Sequence, residues 1–341
     1  MSSAASVAAQ ASGDGRRPFP SSRLEQSVLE TFIYADIFNY PLALDEVVRY
    51  VTVPAAPDEV RRVLEDCTAH GWLVHSRDFF ALPGRDDLIP LRERREAVAR
   101  QKWARARRYT RWLATLPFVR LVAITGTLAV NNAEPTDDID VFVVTEPDRL
   151  WLCRALVIAV VRLARLGGDE LCPNYFVSER ELVFHDHNYF SAREVAQMVP
   201  LYGMTTYQQV RARNAWVEDY LPQAGAAPAL QHAGAAPQDG LVKLNAFESG
   251  IKRAAEGLFA SRLGAAMDQR EMQRKVRQLN READQRGGSV EFTADVCKGH
   301  FDHHDNWIMR RFQERLTPYR LTVPTGCHTN GADPRGETID G

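Results

Sequence analysis

Two aspartates one residue apart, Asp138 and Asp140, stand ten residues after a Gly-Thr pair, Gly126-Thr127. Apolar runs flank both features, Leu121 to Ile124 before the pair and Val141 to Val144 after the aspartates. The stretch reads as strand, tight turn, short helix, turn, strand. Side chains alternate faces along a strand, so Asp138 and Asp140 point one way while Ile139 and Val141 enter the opposite layer. Two adjacent carboxylates repel each other unless a cation sits between them. With one or two Mg²⁺ ions they form a metal platform, because Mg²⁺ takes hard oxygen ligands and leaves positions for water and phosphate oxygens. The Gly126-Thr127 turn offers backbone N–H groups and a hydroxyl at a helix start, which suits a phosphate. The plainer reading is a solvated strand end, with Asp137 capping a turn.

Gly126-Thr127, the ten-residue spacer and Asp138-Ile139-Asp140-Val141 together resemble the signature of the DNA polymerase β-like nucleotidyltransferase superfamily. That signature is Gly-Ser or Gly-Gly, a spacer of similar length, then Asp-hydrophobic-Asp-hydrophobic. The run Thr136-Asp137-Asp138-Ile139-Asp140-Val141 is similar to the Ser-Asp-Ile-Asp-Leu run of its smaller bacterial members. Thr127 keeps the hydroxyl and adds a methyl group. The resemblance covers roughly residues 91–220. It implies an NTP bound with Mg²⁺ on Asp138 and Asp140, its phosphates at Gly126 and Thr127. A nucleoside monophosphate would then pass to an acceptor (small molecule, protein or RNA) with release of pyrophosphate.

The same resemblance implies a third carboxylate on the next strand, as general base or metal ligand. The strand expected there is Leu171 to Val177, and the residue best placed is Asn174, on one face with Cys172 and Phe176. An amide can give a carbonyl oxygen to a metal but cannot take a proton. Asn174 is therefore the expected third metal ligand, with Asp169, Glu170 or Glu181 as acids that substitute from the strand ends. A protein of the same fold that binds nucleotides or partners, with turnover weakened or lost, is the alternative.

The elements that must position this motif are legible in outline. Leu91 to Leu113 reads as a long helix with Trp103, Ala106 and Leu113 inward. It carries nine basic and two acidic residues. Those arginines are either a solvated face or the wall of a cleft that meets phosphates or RNA. Asp148 to Leu166 is a strongly apolar helix that must lie on a sheet, with Arg154, Arg162 and Arg165 on its outer side. Residues 189–221 read as helical, Ser191 capping with Glu194. The expected class is α+β: a small mixed nucleotidyltransferase-type sheet with flanking helices, an N-terminal winged-helix-like unit and a C-terminal helical region.

The division follows: 1–23 a disordered tail, 24–88 the winged-helix-like module, 89–221 the nucleotidyltransferase-like domain, 222–240 a flexible linker, 241–320 the helical region, 321–341 a second disordered tail. In the module, helices Leu24 to Phe38, Leu44 to Val51 and Pro57 to His70 precede a short hairpin. The third helix has four acidic and two arginine side chains, which speaks against DNA binding, since a helix facing phosphates is not net acidic. Cys297 to His304 reads as a loop, with His300, Asp302, His303 and His304 as a candidate metal cluster and Lys298 or His300 as a candidate phosphate contact.

The 341-residue chain has a net charge of −2, which gives no overall pull toward nucleic acid or membrane. Its five scattered cysteines lack CxxC spacing, which predicts neither disulfides nor a zinc knuckle and fits the cytoplasm. No apolar run is long enough to span a bilayer.

Overall fold

The computed structural model describes residues 20–225, 241–286, 288–301 and 304–326, without the side chains at 174, 285–286, 288–289, 300–301 and 304–305. Of the tails and linker expected at 1–23, 222–240 and 321–341, residues 1–19, 226–240 and 327–341 lie outside the described residues, and Arg23 already begins a helix. The chain is mixed α+β, and no described helix is long and apolar enough to cross a membrane. Among the described residues, Cys67, Cys153, Cys172 and Cys297 form no disulfide.

The N-terminal unit holds α1 (Arg23–Asp36), α2 (Leu44–Tyr50), α3 (Pro57–Ala69) and an antiparallel ribbon of β1 (Val74–Ser76) and β2 (Phe79–Ala81). α1 begins with a full capping box, Ser22 accepting from the Glu25 amide while Glu25 accepts from the Ser22 amide. The three helices and the ribbon match the sequence reading, but the unit has no core of its own. Val28, Leu29, Phe32 and Ile33 of α1 share one apolar cluster with Tyr189, Ala192, Ile308 and Phe312 from far along the chain. The charged side chains of α3, Asp58, Glu59, Arg61, Arg62, Glu65 and Asp66, are all exposed.

α4 (Leu88–Thr115) leads into the central sheet. The strands are β3 (Val119–Ile124), β4 (Ile139–Thr145), β5 (Leu171–Ser178), β6 (Val199–Tyr202), β7 (Gly288–Phe292) and β8 (Val296–Phe301), in spatial order β6-β3-β4-β5-β8-β7. β4 and β5 are parallel, joined by the crossover helix α6 (Leu150–Leu166); every other pair is antiparallel. A one-turn helix, α5 (Gly126–Ala129), follows β3. The remaining helices are α7 (Tyr189–Gln197), α8 (Met204–Arg213), α9 (Val217–Tyr220), α10 (Ala246–Phe259), α11 (Arg262–Arg286) and α12 (His304–Leu316). One sheet face is sealed by Trp103, Ala106 and Leu113 of α4 and by Trp151 and Val157 of α6. On the other face, Leu121, Ala123, Phe142, Val144 and Val177 pack with Tyr207 and Val210 of α8. The outer side of α6 is less polar than expected, since Leu163 and Leu166 are exposed beside its arginines.

The segment 189–221 is not helical throughout, because β6 interrupts it at the sheet edge. Pro200 suits that place, since an edge strand can do without one N–H donor. The α7 cap is Asn188, whose side chain accepts from the Ser191 amide at 2.9 Å, and not Ser191 itself. The C-terminal region is not purely helical either. Residues 297–301, expected in a loop, lie in β8, and the β7–β8 hairpin completes the sheet. Val296 and Cys297 are buried against Val177 and Phe176 of β5, and that apolar fit draws the hairpin in.

Several basic residues of α4 act as staples. Arg92, 2% exposed, bridges Glu46 at 2.9 Å and Glu96 at 3.1 Å and lies over the Tyr40 ring. Arg105 and Arg108 hold Asp169 at 2.7 and 2.9 Å, and Arg111 holds Glu248 at 2.5 Å. Arg92→Met leaves Glu46 buried beside a lost cation. We expect a loss of about 3 kcal/mol in urea denaturation. Adding Glu46→Gln to Arg92→Met restores part of that loss; a double variant less stable than Arg92→Met would show that the pair is not the source.

Candidate active site

The turn after β3 is shaped to meet β4. Gly126 has φ of +64°, and a Cβ there would lie 2.3 Å from Oδ2 of Asp140. Only glycine accepts both the left-handed backbone and that approach. The Thr125 amide donates to the Asp140 carbonyl at 3.2 Å. Asn131, itself left-handed at φ 56°, closes the loop, and its Oδ1 accepts from the buried Trp103 indole at 2.8 Å. The Asn132 amide donates to the Thr127 carbonyl at 2.9 Å. Asp137 caps the turn, accepting from the Thr127 hydroxyl at 3.0 Å and from the Glu134 amide at 2.9 Å. The Thr127 hydroxyl is thus engaged inside the loop.

Ile139 and Val141 are buried in the α4–α6 layer, so alternation turns Asp138 and Asp140 to the other face. Ligand atoms of Asp138, Asp140 and Cys172 all lie within 4.8 Å of one another, and each residue is partly exposed. Cys172 is in register with Asp140, and Tyr175 is in register with Phe142. Pro173 and Asn174 together face Val141, a β-bulge that reverses the alternation. Pro173 cannot donate to the ladder, which accounts for the bulge at this point. Beyond it Phe176 pairs with Val143 and is buried in the α4–α6 layer, so the expected common face of Cys172 and Phe176 does not exist. The neighbour of the aspartates is Cys172. The Asn174 side chain lies outside the described residues, as do those of His300, Asp302, His303 and His304.

The substitute acids are placed elsewhere. Asp169, 6% exposed, is bound by Arg105, Arg108 and the Tyr109 hydroxyl, which makes it structural. Glu181 pairs with His185 at 3.1 Å, and Glu170 is exposed, its carbonyl accepting from the Ile139 amide. Among the described residues, no third carboxylate joins Asp138 and Asp140. Two carboxylates suit Mg²⁺, which is commonly held by one or two of them together with substrate phosphates. The soft thiol of Cys172 adds nothing to a Mg²⁺ site.

Gly126, Thr127 and Asp140 line a cavity of about 740 Å³ between the sheet and the N-terminal unit. Phe142, Tyr175 and Phe184 form one wall, with ring centroids 5.5 to 5.8 Å apart. No basic residue of α4 lines the cavity, so of the two alternatives for those arginines the cleft wall does not apply to this cavity. Lys298 does line it and is paired with Asp186. The N-terminal unit braces the motif loop. The Tyr40 hydroxyl donates to the Val130 carbonyl at 2.9 Å, and Asn132 Nδ2 donates to the Phe38 carbonyl at 3.1 Å. The sequence reading passed over Tyr40, Asn131 and Asn132. The Asn-Asn doublet was a usable signal, because asparagine tolerates the left-handed turn.

The sequence reading also missed the α7 side of the cavity. Arg193, only 3% exposed, stacks on the Tyr50 ring at 3.6 Å and the Tyr34 ring at 4.8 Å. Glu194 lines the cavity beside it and accepts from Gln197 at 2.6 Å. Burial pushes the Glu194 carboxyl up to about 7, against the opposing pull of Arg193. Nothing in an amphipathic helix pattern marks two such charges as inward.

Two outcomes follow from this geometry. Gly126→Ala forces Asp140 aside, and we expect Mn²⁺ affinity to fall about 10- to 100-fold, as when a group orienting a metal ligand is lost; unchanged Mn²⁺ titration would contradict the role given to this glycine. A carboxyl raised in the folded state loses stabilisation as pH climbs from its ordinary 4.5 to about 7. Glu194→Gln should therefore melt higher than the parent chain at pH 8, and thermal denaturation should show the gap shrinking toward pH 5. No family model matches the chain, and neither a curated protein nor a solved structure matches it, so the reading of this site rests on its residues and geometry.

Proposed function

We propose that the chain is a nucleotidyltransferase that moves a nucleoside monophosphate from an NTP to an acceptor hydroxyl, with Mg²⁺ on Asp138 and Asp140. The observation that carries this reading is the approach of the Gly126 backbone to Oδ2 of Asp140, which leaves no room for a Cβ. Such contact lets phosphates held at the turn share a cation with the aspartate pair. The metal would supply charge neutralisation on the phosphates and alignment of the attack. The chain's own contribution is positioning, which dominates in phosphoryl-type transfer. Gly126 admits the phosphate chain. Phe142, Tyr175 and Phe184 offer an apolar wall on which a base can stack. The acceptor oxygen bonds to the α-phosphorus, the bond to the bridging oxygen breaks, and pyrophosphate leaves with the electron pair. The hydroxyl proton passes to solvent, since among the described residues the neighbour of the aspartates is Cys172 and no third carboxylate.

That same position of Cys172 favours a second reading, a nucleotide-binding protein of this fold with turnover weakened or lost. A missing general base typically costs about 10²- to 10⁴-fold in rate. Binding is therefore a cleaner test than turnover. Calorimetry of ATP with Mg²⁺ should give a binding heat that EDTA removes and that Asp140→Ala abolishes while the fold, followed by circular dichroism, is retained. Equal ATP affinity in parent and variant would refute both readings of the aspartate pair.

A further inference from the structure

The Arg193 side of the cavity presents a different chemistry. The cavity lining as a whole holds three cationic or potentially cationic side chains: Lys298, His185 and Arg193. Lys298 is paired with Asp186, and His185 with Glu181. Arg193 has no salt-bridge partner among the described residues, and its Nε and Nη1 are buried without a hydrogen-bond partner. A buried guanidinium is costly to leave unmatched. Two tyrosine rings stack on Arg193 and meet part of that cost. Glu194, the acid next to it, is raised to about 7 by burial and so neutralises it only in part near neutral pH. Two donors of the buried guanidinium thus lack an acceptor.

We propose that the Arg193 end of the cavity is the acceptor subsite, and that it takes a small carboxylic acid with an aromatic or apolar body, the carboxylate seated on Arg193. The word acceptor rests on the nucleotidyl-transfer reading; the acid-binding site does not. Size argues for a small molecule, because about 740 Å³ is the volume of a small-molecule pocket rather than of a polymer groove. A single buried arginine argues for a monoanion, since phosphate groups usually gather several cations or N–H donors. The walls around Arg193 argue for an apolar body: Tyr34, Phe190 and Val195 line that end with it.

The test is calorimetry on the full chain without nucleotide or Mg²⁺, using phenylacetate, cinnamate and indole-3-acetate, each against its primary amide. At least one acid should bind, and its amide should bind at least tenfold more weakly. Arg193→Met, which keeps the stem and removes the charge, should bring the acid down to the amide's level. If that variant does not fold, the acid–amide comparison on the parent chain decides alone. Acids and amides that bind alike, or a panel in which nothing binds, would overturn the proposal. So would displacement of the acid by ATP without metal, which would give Arg193 to the phosphates. A chain that binds the acid but shows no Mg²⁺-dependent ATP heat supports the acid subsite and refutes only the transfer reading.

Discussion

Two like charges held side by side are the constraint around which this molecule is arranged. Oxygens of Asp138 and Asp140 lie within 4.8 Å of one another, and at that separation two unit charges repel by on the order of 3 kcal/mol at an effective dielectric of about 20. Strand alternation fixes them on one face because Ile139 and Val141 are committed to the core on the other. The Gly126 turn then closes against Asp140 and keeps its carboxylate from swinging away. Two carboxylates so placed repel each other and together attract a divalent cation, which is the physical basis for reading them as a site.

The surroundings hold that geometry from several directions. Trp103 of α4 fixes Asn131, Tyr40 of the N-terminal unit fixes Val130, and Arg95 reaches Asn132 at 3.1 Å. The N-terminal unit is therefore part of the site's scaffold, which agrees with its sharing a core with α7 and α12. The charged side chains of its α3, four acidic and two basic, are all exposed. Three of the basic residues of α4 pair with acids elsewhere in the chain, Arg92 with Glu46 and Arg105 and Arg108 with Asp169.

Much of this was legible in the sequence where local rules act alone. Period-two alternation at 138–144 placed the aspartates on one face, and helical spacing placed Trp103, Ala106 and Leu113 inward. Asp137 was readable as a turn cap. The reading failed where a tertiary contact or one irregular residue overrode the local rule. Pro173 broke the ladder in β5, and a single bulge moved Phe176 to the other layer and left Cys172 beside the aspartates. The β7–β8 hairpin is short, and burial against β5 decides it, so its sequence alone resembled a loop. The sequence reads Glu194 as the partner of a Ser191 cap and does not single out Arg193, because the rings that cover Arg193, Tyr34 of α1 and Tyr50 of α2, come from far along the chain.

The account's central claim is that the aspartate pair and the Gly126 turn act together as one metal–phosphate site. Electron paramagnetic resonance of Mn²⁺ with the full chain, titrated with and without a non-hydrolysable ATP analogue, tests it most directly. The account predicts weak Mn²⁺ binding that tightens when the analogue is present, with the bound-ion spectrum altered as phosphate oxygens replace water. Mn²⁺ binding that is the same with and without the analogue, or absent in both cases, would contradict it.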